Sequence, residues 1–240
     1  MYKKLKISVI MPCRNEGSHL DEVVKRIPKY VDEIIVVSNK STDNTVEVAK
    51  QLGLKVIEDN RTLRGIGYGF ALMTGIKEAS GDIIACIDGD ATYPIENLDK
   101  IINHLDYNKL DFISCNRYPI KDKKTKIPLK LKLGVMILNI EANILYMLNI
   151  KDILSGMWVF KKEIRSELNL TMGDWNLSPQ IKINAAKNSS IRFDEYNISQ
   201  HQRKGETKQN YFSTGLSHAI WIVSNRLRSR KVTIQDVEQL

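Results

Sequence analysis

Two carboxylates flank a glycine at Asp88-Gly89-Asp90, directly after the apolar run 82–87. Carboxylate oxygens suit Mg²⁺ or Mn²⁺, and such ions commonly share their shell with substrate phosphates. A spacing of two in extended chain points both side chains the same way, and Gly89 admits close backbone approach. A lone D-x-D is also an ordinary acidic turn, so its meaning rests on what surrounds it. Upstream lies Arg64-Gly65-Ile66-Gly67-Tyr68-Gly69, which opens a segment of helical period whose first amides suit an anion. A dinucleotide fingerprint, and with it a nicotinamide-dependent oxidoreductase, fits poorly. The third glycine comes one residue early for G-x-G-x-x-G, and the element does not follow the first strand.

The elements that must position these residues alternate. Apolar runs of strand length lie at 6–11, 32–38, 54–58, 82–87 and 110–115, and segments of helical period lie between them at 17–29, 43–52, 66–79 and 95–105. Such alternation predicts an α/β fold with a Rossmann-like, mostly parallel central sheet flanked by helices. Ligands on such sheets bind beyond the C-terminal strand ends. Those ends read Pro12 to Glu16, Ser38-Asn39-Lys40, Glu58 to Arg64 and Asp88 to Asp90. The C-terminal part is less regular: a lysine-rich loop at 117–132, a long apolar helix at about 128–149, a strand at 157–161, a helix at 177–187, a strand at 190–198 and a last helix at 209–229.

The net charge of +8 favours an anionic partner. Nucleic acid is not expected, because no recognised motif accompanies the charge. Lys121 to Lys132 precede one apolar helix, and Arg226 to Lys231 end another that carries Trp221. Basic residues beside apolar faces suit an anionic leaflet, and a core or homodimer helix with solvated lysines is the other reading. No apolar run reaches the ~20 residues of a membrane span. The N-terminus reads as no leader, and Cys13, Cys86 and Cys115 read as reduced, buried thiols. A cytoplasmic setting is expected.

The motifs occur as an ordered set. Pro12-x-Arg14-Asn15-Glu16 comes first, then Val37-x-x-x-Ser41-Thr42-Asp43-x-Thr45, Arg64-Gly65-x-Gly67, Gly81-Asp82 and Asp88-x-Asp90. Asn116-Arg117, Ser155-Gly156 and Arg203-x-Gly205-Glu206-Thr207-Lys208 follow. This set resembles family 2 glycosyltransferases of the GT-A fold, most of all the polyprenyl-phosphate branch, over about residues 5–210.

The resemblance implies one GT-A domain over 1–240. Residues 1–116 would form the nucleotide-sugar half and 117–240 the acceptor side. It implies inverting, metal-dependent transfer of a sugar from a UDP- or GDP-sugar to polyprenyl phosphate at the cytosolic membrane face. Pro12, Arg14, Glu16, Asn39, Arg64, Gly65, Asp88 and Gly89 would line the donor pocket. Asp90 and Asp88 would hold Mg²⁺ or Mn²⁺, and Arg117, Arg203 and Lys208 would bind phosphate. A hydroxyl acceptor would need a general base. Asp152 is the implied candidate, with Asp174 a weaker one, because the acidic residue often found near 180 is Gln180 here. His201 is assigned an acceptor-side place. The D-D-G-S stretch that usually meets the base reads Ser38-Asn39-Lys40-Ser41, which leaves the base open. Two alternatives stand beside lipid-phosphate transfer: a glycan or other hydroxyl acceptor, and a non-catalytic nucleotide-sugar-binding or partner subunit.

Overall fold

A computed structural model describes residues 2–120, 128–202 and 209–237. Seven strands form one sheet in the order β3-β2-β1-β4-β6-β5-β7. They are β1 (Ile7–Cys13), β2 (Glu33–Ser38), β3 (Lys55–Glu58), β4 (Ile83–Cys86), β5 (Phe112–Asn116), β6 (Trp158–Lys161) and β7 (Phe193–Asn197). All neighbours pair parallel except β6, which runs antiparallel to both β4 and β5. The expected mostly parallel sheet is therefore present. The chain order is interleaved, because β6, from the C-terminal half of the sequence, lies between β4 and β5.

The central strands are mostly apolar because both faces are covered. All seven residues of β1 and all four of β4 are buried. One core joins Val9, Met11, Ile83 and Ala85 to Leu20 and Val23 of α1 (Gly17–Arg26) and to Ile101 and Leu105 of α4 (Leu98–Tyr107). On the opposite face Ile10, Ile84, Trp158 and Phe160 meet Leu72 and Ile76 of α3 (Tyr68–Glu78) and Leu177 and Ile181 of α6 (Leu177–Lys187). Helix α2 (Thr45–Gln51), which follows β2, adds Ala49 to the first of these cores. A third cluster sits between α5 (Leu129–Tyr146) and α7 (Tyr211–Val237), around Leu138, Ala142 and Ile222. None of the described helices is long and apolar enough to cross a membrane. All three cysteines are buried.

The reversed strand shapes the sheet edge at which the carboxylates lie. Trp158 pairs with Cys86 across β4 and β6. Because β6 starts where β4 ends, the turn 152–157 arrives beside the residues just beyond β4. Antiparallel insertion thus delivers Ser155-Gly156 to Asp88.

Candidate active site

Strand β4 ends at Cys86, and Gly89-Asp90 is a turn, followed by Ala91 at φ 62°. Period-two spacing therefore does not orient the carboxylates; individual hydrogen bonds do. The half-buried Tyr68 donates through its phenol to Asp88 Oδ1 at 3.0 Å. Tyr68 in turn packs against Trp175 with ring centroids 4.5 Å apart. Burial first, and then the neighbouring Asp88 charge, push the Tyr68 phenol well above its ordinary pKa, so it stays a donor. Asp90 is 6 % exposed, and its Oδ1 accepts from Thr92 Oγ1 at 2.6 Å and Thr92 N at 3.1 Å.

Two glycines let the backbone close in. A Cβ on Gly89 would stand 2.8 Å from Cys13 Sγ of β1, and one on Gly156 would stand 2.8 Å from Tyr68 Oη and 3.2 Å from Asp88 Oδ2. Gly156 N also donates to Tyr93 Oη at 2.6 Å. The carboxylate turn is thus walled by β1 on one side and by the 152–157 turn on the other.

The first strand-end loop is tied to its neighbours. Arg14 donates to Gly65 O at 3.0 Å, which links Pro12–Glu16 to the turn at Arg64 (φ 54°) and Gly65 (φ 79°). Asn15 Oδ1 accepts from Thr42 N at 2.7 Å. Glu16 N donates to Thr45 Oγ1 at 2.9 Å, and Gly17 N to Asp43 Oδ2 at 3.1 Å. The Ser41-Thr42-Asp43-x-Thr45 motif therefore works as a clasp between the loops after β1 and β2. The glycine-rich helix start differs from expectation: Gly69 N and Phe70 N both donate to Gly173 O, at 3.0 and 3.2 Å. A backbone carbonyl holds those amides, so they do not face an anion.

Asn39 also departs from its expected base-facing place. It is 3 % exposed, and its Nδ2 donates to Asp59 O and, at 2.9 Å, to Arg61 O. Its side chain braces the loop after β3. In that loop Arg61 grips Asp59 through both oxygens, at 2.9 and 2.6 Å, and Thr74 adds a third bond at 2.6 Å. These hydrogen bonds, Arg61 foremost, hold the Asp59 carboxyl down at about 2.

On the acceptor side Asp152 is fully buried, and the Arg117 guanidinium covers both its oxygens, Nε at 2.6 Å from Oδ2 and Nη2 at 2.8 Å from Oδ1. Burial alone would raise its pKa; the Arg117 charge outweighs this and holds it below the ordinary value. A carboxylate committed in this way cannot take a proton from an acceptor hydroxyl. The expected general base at Asp152 is replaced by an anchor for Arg117. Beneath it Lys182, also fully buried, donates to Asp152 O at 2.8 Å, and burial lowers its pKa to about 7. Asp174 accepts from Asn176 N at 2.9 Å, and Asn176 meets His218 at 2.8 Å. Gln180 Oε1 accepts from Thr171 N and Met172 N, a bracing role. His201 N donates to Thr92 O at 2.9 Å and its ring meets Glu96 at 2.6 Å, beside the carboxylate turn rather than apart from it. Arg203, Lys208 and the lysines at 121–126 lie outside the described residues.

Sequence reasoning passed over Tyr68, Tyr93, Trp175 and Lys182. Tyr68 carried a signal: it is the one aromatic inside the glycine-rich turn. Lys182 shows as a cation among the inward positions of an apolar helix.

The sheet order and the carboxylate turn after β4 define a GT-A-fold chain. The chain belongs to glycosyl transferase family 2, whose sequence profile matches residues 8–168. It is 28 % identical over 226 residues to the low-salt glycan biosynthesis hexosyltransferase Agl6 of Haloferax volcanii, covering 91 % of this chain and 53 % of that one. It is 32 % identical over 169 residues to a dolichol-phosphate mannosyltransferase of Pyrococcus furiosus, covering 67 % and 47 %. The chain thus spans about half the length of these curated relatives. A dolichyl-phosphate hexose transferase of Haloferax volcanii matches at 26 % identity over 93 % of this chain and 95 % of its own. Among solved structures, glucosyl-3-phosphoglycerate synthase of Mycobacterium tuberculosis, in complex with Mn²⁺, UDP and glucosyl-3-phosphoglycerate, shares the fold. Its TM-score is 0.70 at 18 % identity, over 93 % of this chain and 80 % of that one.

Proposed function

We propose that this chain transfers a sugar from a UDP- or GDP-sugar to a polyprenyl phosphate. The observation that carries the donor half is the Asp88-Gly89-Asp90 turn, steered by Tyr68 and Thr92 and walled by Gly156. Its donor set suits Mg²⁺ or Mn²⁺: two hard carboxylates, with no group of three His, Cys, Asp or Glu among the described residues that could cage an ion alone. Such a pair leaves coordination places for diphosphate oxygens and water. Asp90 and Asp88 would hold the ion, which when bound neutralises charge developing on the departing nucleoside diphosphate. Pro12, Arg14, Glu16, Arg64 and Gly65 shape the donor pocket in this reading.

The acceptor half rests on Asp152 and on the names of the relatives. An acceptor phosphate oxygen is already anionic. It forms the new bond to the anomeric carbon as the bond from that carbon to the donor diphosphate breaks, and no base is needed. Asp152, occupied by Arg117, agrees with such an acceptor better than with a hydroxyl. Arg117, held in place by Asp152, and the sequence-implied Arg203 and Lys208 are the proposed phosphate partners; Arg suits forked phosphate contacts.

The test is a thermal-shift panel of UDP- and GDP-sugars with and without Mn²⁺, followed by transfer to a short polyprenyl phosphate. A ligand that binds the folded state raises apparent stability by mass action. One donor is expected to stabilise in a Mn²⁺-dependent manner that Asp90→Ala abolishes. No donor shift at all would leave a non-catalytic subunit. Product on a sugar hydroxyl, with none on lipid phosphate, would overturn the acceptor assignment.

A further inference from the structure

Two neighbouring helices present apolar side chains outward as well as inward. Helix α5 buries Val135, Leu138 and Ala142, and exposes a second stripe through Ile137, Ile140 and Ile144. Helix α7 packs on α5 through Ile222 and exposes Phe212, Leu216 and Ile220. Both outward stripes follow the three-to-four spacing of one helix face. They are well exposed: Ile144 keeps 72 % of its surface and Phe212 84 %. Isolated exposed leucines need no explanation, but an apolar stripe on each of two packed helices marks a contact surface.

The charges beside these stripes choose the partner. In α5 the ionic residues are Lys130, Lys132 and Glu141. Burial raises the pKa of Glu141, so that acid is the more readily neutralised. Between 211 and 228 helix α7 carries Arg226 and Arg228 and no acid. Lys187 and Arg226 both lie over the Tyr146 ring, at 5.3 and 5.8 Å, so the α5–α7 seam has a cationic rim. In a twofold dimer the same patch faces itself, so one cationic rim would lie against another. An anionic leaflet complements them all.

We infer that the α5–α7 face lies on an anionic membrane surface, with its apolar stripes in the headgroup–acyl boundary and its Lys and Arg rim on the lipid phosphates. This goes beyond the transfer reading. It rests on that reading only for the reason to dock, which is to meet a lipid acceptor. The third core cluster includes Ile150 and Ile153, next to the 152–157 turn that abuts Asp88. The docked face would therefore be joined directly to the acceptor side of the site.

The experiment is vesicle flotation of the chain with phosphatidylcholine alone and with 30 % phosphatidylglycerol. Preferential, salt-weakened flotation with the anionic vesicles is expected, and I137S/I144S/F212S should weaken it at least about tenfold. The same variant should keep the donor-induced thermal shift, because none of its positions touches the donor pocket. As a second measurement on the unaltered chain, brominated lipids in anionic vesicles should quench half-buried Trp221 of α7. Absence of flotation and quenching, with the donor shift intact, overturns the membrane face and leaves the transfer reading standing. So does a concentration-dependent dimer that the triple variant splits, which would make the face an interface between copies.

Discussion

The carboxylate turn after β4 and the ion cluster under Arg117 are both polar and lie at neighbouring strand ends, yet their chemistry diverges. Asp88 and Asp90 each accept a hydrogen bond from a neutral donor, a phenol and a threonine respectively, and such a bond aims a carboxylate without cancelling its charge. Asp152 lies against a guanidinium on both oxygens and above a buried lysine. A contact of the first kind suits an incoming cation and its phosphates; a contact of the second kind commits the carboxylate to a guanidinium. An aspartate near a strand end is thus a ligand or an anchor according to its partner, and residue type alone does not say which.

The largest effect should come from breaking the anchor. Asp152→Ala leaves Arg117, whose side chain is 18 % exposed, without the carboxylate that covers it, and removing one partner of a largely buried pair costs about 3–5 kcal/mol. The expected result is a steep drop in Tm in the absence of any substrate. Asp152→Asn should also lower Tm, because an amide cannot neutralise Arg117. A general base would behave in the opposite way, losing turnover with an unchanged Tm, so one melting curve separates the two roles.

Breaking the ligand pair should act on turnover instead. Asp90→Ala is expected to lower metal-dependent transfer by roughly 10²- to 10³-fold, the equivalent of several kcal/mol of charge stabilisation. Its cost to stability should be near 1 kcal/mol, the ordinary worth of the hydrogen bonds to Thr92. Equal losses of Tm in Asp90→Ala and Asp152→Ala would erase the contrast.

The sequence carried the donor half more fully than the acceptor half, for physical reasons. Parallel strands buried on both faces read as continuous apolar runs, so β1, β2 and β4 stand within one or two residues of their expected bounds. Strand-end motifs in a βα order fall on one edge by topology, which is how Pro12–Glu16, Gly65 and Asp88 came to be grouped. What decides a side chain's task lies across the fold. Arg117 and Asp152 are 35 residues apart, and Asn39 and Arg61 are 22 apart. No local pattern announces that Asn39 would brace a loop or that Gly173 would cap α3. The insertion of β6 between β4 and β5 was invisible as well, since strand period is the same in either direction.

A third measurement probes the edge of the buried cluster. Burial first, and Lys182 second, hold His218 neutral down to about pH 4, against 6.5 for a free histidine. The unfolded chain therefore binds more protons between those values, so stability should fall as pH drops from about 6.5 to about 4. The size is at most about 3.4 kcal/mol, the free energy of moving that titration from 6.5 to about 4. His218→Gln should flatten that acid limb in a urea titration at several pH values. An unchanged slope would assign the acid limb to carboxylates such as Asp59 and Asp111.

The smallest expected effect is the most informative about the donor turn. Tyr68→Phe removes one hydroxyl and leaves the ring on Trp175, so the packing at 4.5 Å persists. Asp88 then loses the donor that fixes its Oδ1. A hydrogen bond to a charged group contributes about 1.5–3 kcal/mol, though part of that returns if water reaches the half-buried carboxylate. The expected outcome is a folding stability within about 1 kcal/mol of the parent and a roughly tenfold weaker Mn²⁺-dependent donor affinity. Turnover should recover partly at high donor concentration, because the phenol orients a ligand of the donor complex and not the acceptor. Phe at 68 with unaltered donor affinity would make the phenol a packing residue. The aim of Asp88 would then fall to the wall at Gly156, and Gly156→Ala, whose new Cβ would stand 3.2 Å from Asp88 Oδ2, becomes the variant that should weaken donor binding.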